Sequence, residues 1–288
     1  MLAALLFSSA IALTFDDLPG TSFPANDRCD AAAVRAWNEK LLSALRKHRA
    51  PAIGFVNSGR ECMRRDLASI LGLWLRNGEE LGNHTAHHVD LNAISPSEFE
   101  RDVIEGESPL RQLLKANRQK LVWFRYPFLR TGLKRSVRDE VASFLRERGY
   151  RNALVTLDSD EYLYNNAYAA ALAANDGAHA ARIAAAYLHF MDDITTFYEK
   201  RTNEVVGHPI PHVLLLHVSA LAADRLDDLL TMLERRGYRF VTIDEAMRDP
   251  AYSLPDGYAG KQGLSWIHRW GVAKGMPIVW EPDAKIPK

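Results

Sequence analysis

Seven short runs of apolar and β-branched residues alternate with longer stretches of helical periodicity, and this rhythm leaves few architectures open. The runs are Ile11–Phe15, Ala52–Val56, Glu80–Asn83, Leu121–Arg125, Ala153–Leu157, Val213–Val218 and Arg239–Ile243. Helical patterns fall near 30–48, 65–77, 96–117, 133–148, 165–202 and 222–236, and Gly78, Gly149 and Gly237 follow three of them as C-terminal stops. Repeated strand–helix units build a parallel sheet or barrel. The expected fold is therefore α/β, a distorted seven-stranded (β/α) barrel of the TIM-barrel-like kind. The pattern over 165–205 is longer than a barrel helix needs and breaks at Asn175-Asp176-Gly177, which reads as an inserted helical hairpin. No period of 20 to 50 residues repeats, so a solenoid or propeller is not supported.

A chain of 288 residues can bury a full core without staples. Lys plus Arg and Asp plus Glu number 36 each, which removes the charge imbalance that draws a whole chain to nucleic acid or an anionic membrane. No later stretch reaches the roughly 18 apolar residues of a membrane helix. The first ten residues, Met-Leu-Ala-Ala-Leu-Leu-Phe-Ser-Ser-Ala, are apolar and close on small residues. They read either as the remnant of a signal peptide without its basic segment, giving a secreted or periplasmic protein, or as the lead-in to the first strand. Residues 11–249 form the expected catalytic domain. Residues 250–288 form an extension whose Trp266 and Trp270 share a helix face and pack on the barrel. Cys29 and Cys62 have no metal or redox spacing; two free thiols and one disulfide are both open.

In such barrels the chemistry sits at the C-terminal ends of strands. The first strand ends in Thr14-Phe15-Asp16-Asp17, two carboxylates that extended backbone would point apart and so assign to different tasks. After the third come His84-Thr85-Ala86-His87-His88, where a helical turn would bring His84 and His88 to one metal ion and turn His87 away. A carboxylate from Asp16 or Asp17 would complete a site with positions open to water. The fourth strand ends in Arg125-Tyr126-Pro127-Phe128, and since proline has no N–H the next donor is Phe128. The sixth ends in Leu215-Leu216-His217, with Leu215 and His217 on one face. Each motif alone also has a bland reading: a capped loop, a surface Arg, a core His.

Together and in this order they resemble the polysaccharide deacetylases that share the NodB homology domain, carbohydrate esterase family four, over roughly residues 10–250. A further family motif, Asp-x-x-Asp-Trp, is matched by Asp158-Ser159-Asp160-Glu161-Tyr162, with Glu for the second Asp and Tyr for Trp. The resemblance implies a divalent metal, most often zinc, on Asp17, His84 and His88. It implies Asp16 as general base held by Arg125, the Phe128 amide as oxyanion donor, and His217 as general acid partnered by Glu161. Leu215 and Tyr162 would wall the pocket for an acetyl methyl. The implied reaction removes acetyl groups from N-acetylated or O-acetylated polysaccharide, such as peptidoglycan, chitin or xylan. Alternatives are an amidohydrolase acting on another C–N bond, as in a formamido sugar or cyclic imide, and a non-catalytic carbohydrate-binding relative. Restoring Asp and Trp at positions 161 and 162 is expected to leave activity equal or higher.

Overall fold

The computed structural model describes residues 9–21 and 29–288, so the signal-like segment lies almost wholly outside the described residues. The central strand, β1 (Ala10–Leu18), is buried at all nine positions. Its near-continuous apolar sequence is what a parallel strand covered on both faces requires. One edge of β1 pairs with β6 (His212–His217), in a register running from Ile11 opposite His212 to Asp16 opposite His217. The other edge pairs first with β7 (Arg239–Val241) and then, from Leu13 onward, with β2 (Ala52–Val56). The parallel sheet continues through β3 (Glu80–Asn83), β4 (Trp123–Phe124) and β5 (Arg151–Asn152). The order β5-β4-β3-β2-β1-β6, with β7 beside β1, makes seven strands.

Beyond β5 the chain curls round to meet β6. Leu157 bridges Leu214 in parallel, and the Leu215 amide donates to the Leu157 carbonyl at 3.0 Å. The fold is thus the expected α/β barrel, distorted and closed at one end by this bridge. Strand β1 runs on past its expected end to Leu18 and β7 stops at Val241, while the fourth and fifth strands depart in kind. The fourth shrinks to Trp123–Phe124, and the fifth pairs at Arg151–Asn152 rather than over Ala153–Leu157. Ala153, Val155 and Leu157 are fully buried in the barrel interior, and their backbone bonds are isolated: the Ala153 amide donates to the Phe124 carbonyl at 2.8 Å, and Leu157 makes the bridge to β6.

Helices α1 (Ala31–His48), α2 (Leu67–Arg76), α3 (Pro96–Ala116), α4 (Arg135–Glu147) and a later helix, Ala220–Arg235, lie within about two residues of their expected spans. Asp30 caps α1 by accepting from the amides of Ala32 and Ala33, and Ser95 with Glu98 forms a reciprocal capping box on α3. The long helical pattern is two helices, α5 (Glu161–Ala173) and α6 (Gly177–Val206). They break where expected: Asn175 is left-handed and Asp176 caps α6. However, α5 starts four residues before the expected 165, because its first turn carries buried Glu161 beside exposed Tyr162, a pattern set by the site and not by the core. The helix after β6 is α7 (Ala220–Arg235). The chain ends with α8 (Ile243–Ala246) and α9 (Trp266–Ala273), and Trp266 and Trp270 are both buried. The Trp266 amide donates to Val155 at 2.7 Å. Residues after α9 lie along the α5–α6 hairpin, where the Lys285 amide donates to the Tyr164 hydroxyl at 3.0 Å.

Cys29 and Cys62 are joined in a disulfide, with Cα atoms 5.5 Å apart, which corrects the free-thiol reading. One precedes α1 and the other follows β2; since β1 and β2 are neighbours, their loops meet at the same end of the barrel.

Candidate active site

Asp16 and Asp17 do not diverge as extended backbone would make them. The β1–β2 register shifts between Phe15 and Leu18, and Asp17 takes a left-handed φ of 64°. This bulge turns the second carboxylate into the same space as the first. His84 Nε2 then lies 3.7 Å from Asp16 Oδ2 and 3.8 Å from Asp17 Oδ1.

His84 and His88 converge through a loop, not the helical turn their spacing suggested. Thr85 and His88 are left-handed, with φ of 66° and 57°. Buried Asn83 accepts from the Thr85 amide at 2.9 Å, and Thr85 Oγ1 accepts from the His88 amide at 3.0 Å. Asp102 on α3 accepts from the His87 amide at 3.0 Å and pairs with its ring Nδ1 at 2.5 Å, so His87 is turned away and clamps the loop from outside. Helix α3 presses in so closely that a Cβ at Gly106 would lie 2.6 Å from Asn83 Oδ1. The result sets the His84 and His88 rings 4.9 Å apart and His88 Nε2 3.4 Å from Asp17 Oδ1.

These residues fit a divalent cation. His84 Nδ1 donates to the Arg125 carbonyl at 2.8 Å, which leaves the Nε2 lone pair facing the carboxylates. Asp17 Oδ1 is buried and has no hydrogen-bond partner among the described residues. The donor atoms of Asp17, His84 and His88 all lie within 4.8 Å of one another. Burial opposes the charge on Asp17, but the imidazoles of His88, His217 and His84 and the Arg60 guanidinium outweigh it and hold its pKa down at about 2. Burial pushes His84 down to about 4, so the ring is a neutral ligand near pH 7. Two imidazoles and one carboxylate with positions left over form a donor set suited to zinc.

Around this centre stand two acid–base pairs. Arg125 is fully buried; its Nη1 reaches both oxygens of Asp16 at 3.3 and 3.4 Å and its Nη2 donates to Thr14 Oγ1 at 3.1 Å. At the end of β6, Glu161 Oε1 accepts from the His217 amide and pairs with His217 Nδ1, both at 2.8 Å. Burial disfavours the imidazolium, but the Glu161 hydrogen bond and charge, with Asp17 and Asp16 behind, raise its pKa to about 9. At the end of β4, Phe128 and Leu129 are consecutive left-handed residues, with φ of 56° and 53°. Non-glycine residues held there cost on the order of 1–3 kcal/mol each and persist only where the surroundings impose them. The Phe128 ring is half exposed and packs edge-on against His88, with centroids 4.4 Å apart.

Most of these groups open on one cavity of about 550 Å³. It is lined by Asp16, Asp17, His84, His88, Phe128, Glu161, Tyr162, Leu215 and His217, while Arg125 lies behind Asp16. Leu215 is a buried wall, whereas Tyr162 is 46% exposed and stands toward the mouth. Three contributors, Asn83, Asp102 and Gly263, had no role in the sequence reading, and a fourth, Asp158, appeared there only as a motif position. Asn83 and Asp102 shape the histidine loop and gave only the weak signal of polar residues in buried positions. Asp158 lines the cavity, its pKa raised to about 7 by burial and then by Glu281 from the C-terminal extension. Gly263, from the same extension, also lines it and carried no signal.

A parallel barrel with paired carboxylates, two converging histidines and an opposed histidine–glutamate pair defines a hydrolase of the polysaccharide deacetylase class. The sequence agrees: residues 8–153 match the polysaccharide deacetylase family model, and the chain belongs to that family. A peptidoglycan-N-acetylglucosamine deacetylase of Bacillus cereus is 24% identical over 252 residues, 83% of this chain and 88% of that one. The peptidoglycan-N-acetylmuramic acid deacetylase PdaA of Bacillus subtilis is 23% identical over 227 residues, 78% and 72% of the two chains. Among solved structures, a CE4 family pseudoenzyme from Bacillus anthracis superposes with a TM-score of 0.54 at 18% identity, covering 84% of this chain and 66% of that one. A peptidoglycan N-acetylglucosamine deacetylase in complex with a hydroxamate-type benzamide gives a TM-score of 0.53 at 20% identity, covering 82% and 87%. At these identities the structural likenesses speak for the fold alone.

Proposed function

We propose that this chain is a metal-dependent deacetylase acting on N-acetylated polysaccharide, with peptidoglycan or a chitin-like glycan as substrate. The observation that carries the reading is the convergence of Asp17, His84 and His88 around a buried, unpartnered carboxylate oxygen, in the cavity that also holds Asp16 and His217. A divalent cation on those three residues, zinc by the donor set, would supply a positive charge that acidifies water and polarises an acyl carbonyl.

The remaining work falls to the chain's own groups. Asp16, anchored by Arg125, accepts the proton of the attacking water as its oxygen bonds to the acyl carbon. The Phe128 amide donates to the oxygen on which charge develops. His217 is charged near neutral pH, and with Nδ1 engaged by Glu161 its Nε2 proton goes to the sugar nitrogen as the C–N bond breaks, releasing acetate and an amine. Leu215 offers apolar surface for the acetyl methyl, with Tyr162 nearer the mouth. The disulfide supports export to an oxidising compartment, where such a glycan lies.

Metal analysis combined with acetate release from N-acetylchitooligosaccharides, peptidoglycan and acetylxylan tests this. The reading expects one metal per chain and chelator-sensitive release from the N-acetylated substrates. A metal-loaded protein that releases acetate from none of them would reject it.

A further inference from the structure

The left-handed pair Phe128–Leu129 is held from outside by the C-terminal extension. Residues 256–265 cross over the turn that follows β4. The Gly260 amide donates to the Gly132 carbonyl at 3.2 Å. Asn92, on the loop that follows the two histidines, donates from Nδ2 to the carbonyls of Gly260 and Lys261 at 3.2 Å each. Arg269 on α9 is fully buried, donates to Thr131 Oγ1, and grips Asp256 at the start of the strap at 2.7 and 3.0 Å. Past Gly263 the Trp266 amide donates to the Val155 carbonyl at 2.7 Å, so the strap is fastened at both ends, across the turn that bears Phe128.

Between these fastenings Gly263 comes against the Phe128 backbone. A Cβ built on Gly263 would lie 1.7 Å from the Phe128 carbonyl oxygen and 3.3 Å from Leu129 Cβ. Gly263 is not among the residues with positive φ, so its backbone conformation does not demand glycine. The missing side chain serves close approach. Under the strap, the Leu129 and Arg130 amides donate to the Tyr126 and Pro127 carbonyls at 3.1 Å each, closing the turn from inside. The turn is thus clamped between its own hydrogen bonds and the strap.

We propose that Gly263 is a positioning residue for the reaction: by seating the strap on the Phe128 carbonyl, it fixes the left-handed turn and hence the direction of the Phe128 amide. This rests on the reading of that amide as oxyanion donor. The extension would then be a working part of the active site, acting on the rate of the chemical step and not on the metal or on substrate affinity.

The test uses the full metal-loaded chain, N-acetylchitooligosaccharide as substrate, and Gly263→Ala. The added methyl cannot coexist with the Phe128 oxygen, so strap and turn must part. Because losing an oxyanion donor typically costs roughly 10²- to 10³-fold in kcat, partial displacement should lower kcat roughly 10- to 100-fold. KM should stay within about twofold, the signature of an interaction made in the transition state, and metal should stay near one per chain. Hydrogen exchange in peptides spanning 126–132 should quicken, with peptides spanning 84–88 unchanged. Asn92→Ala loosens the strap without adding atoms and should act in the same direction more weakly, which covers the case of a Gly263→Ala chain that does not fold.

Unchanged kcat and unchanged exchange at 126–132 in the variants would overturn the inference, as would a rate loss that merely follows metal loss. Quickened exchange in a protein whose wild type releases no acetate would overturn the deacetylase reading instead, and leave the mechanical coupling supported.

Discussion

Glu161 takes two hydrogen bonds from a single residue, the backbone amide and the ring Nδ1 of His217, each at 2.8 Å. The first fixes the carboxylate against the end of β6, and the second fixes the ring's orientation and raises its pKa to about 9. A general acid of this kind works below its pKa and fails above it. We expect the rate to fall on the alkaline side as pH passes about 9. In Glu161→Gln, burial is no longer outweighed and that limb should move to lower pH, with the maximal rate reduced by roughly 10²-fold or more. A pH–rate profile of the two proteins checks this; coincident alkaline limbs would remove His217 from the acid role.

The same geometry argues against the expectation that restoring Asp and Trp at positions 161 and 162 leaves activity equal or higher. Glu161 stands at the first position of α5 and spans to both His217 donors with its full length. A carboxylate one methylene shorter falls short of both unless α5 moves. Glu161→Asp should therefore lose rate toward the level of Glu161→Gln while keeping metal, as measured by acetate release and metal analysis.

Glu79 offers a stability test away from the site. Its carboxyl is buried and accepts from the Ala52 amide at 2.7 Å. Burial, with neighbouring Glu80 adding to it, raises its pKa from 4.5 to about 7 despite that hydrogen bond. A raised folded-state pKa contributes stability that is complete below about 4.5 and is lost as pH rises through about 7. The displacement is worth on the order of 3 kcal/mol. Urea titrations should find Glu79→Gln more stable than wild type at pH 8 by up to that amount, with little difference at pH 4.5. An equal gap at both pH values would mean the effect is not protonation.

The disulfide spans 33 residues, a loop for which cross-linking contributes roughly 2–4 kcal/mol. The Cys29→Ser, Cys62→Ser double variant should lose stability of that order in denaturant. Its metal content and kcat should stay near wild type, because neither sulfur belongs to the donor cluster or lines the cavity. Loss of metal at a temperature where the variant stays folded would tie the bridge to the site.

Much of the site was legible because a parallel barrel exposes its strand ends, and reactive side chains there stand out against apolar runs. Thr14-Phe15-Asp16-Asp17, the two histidines, Arg125 and His217 were found in that way. What the sequence concealed was backbone shape. Asp17, Thr85, His88, Phe128 and Leu129 are all left-handed without being glycine, so nothing in their identity announces the bulge, the loop or the turn. The histidine spacing suggested a helix because four residues suit one, while the pairing is made by a loop that Asn83 and Asp102 hold. The fifth strand was misplaced because core burial and strand pairing leave the same apolar mark. The C-terminal strap was invisible because its contacts with the site are made by backbone and by a glycine.

The most direct test of the account separates Asp16 from Asp17, neighbours in sequence with different tasks. Asp17→Ala removes one of three protein ligands, so metal affinity should fall by orders of magnitude. Asp16→Asn leaves Asp17, His84 and His88 whole but cannot take a proton from water, so acetate release should fall by roughly 10²- to 10⁴-fold with metal held near one per chain. Metal stoichiometry and acetate release should be measured side by side on both variants. A filled site without turnover in Asp16→Asn, together with an empty site in Asp17→Ala, is the predicted result; an empty site in Asp16→Asn and a filled, active one in Asp17→Ala would contradict it.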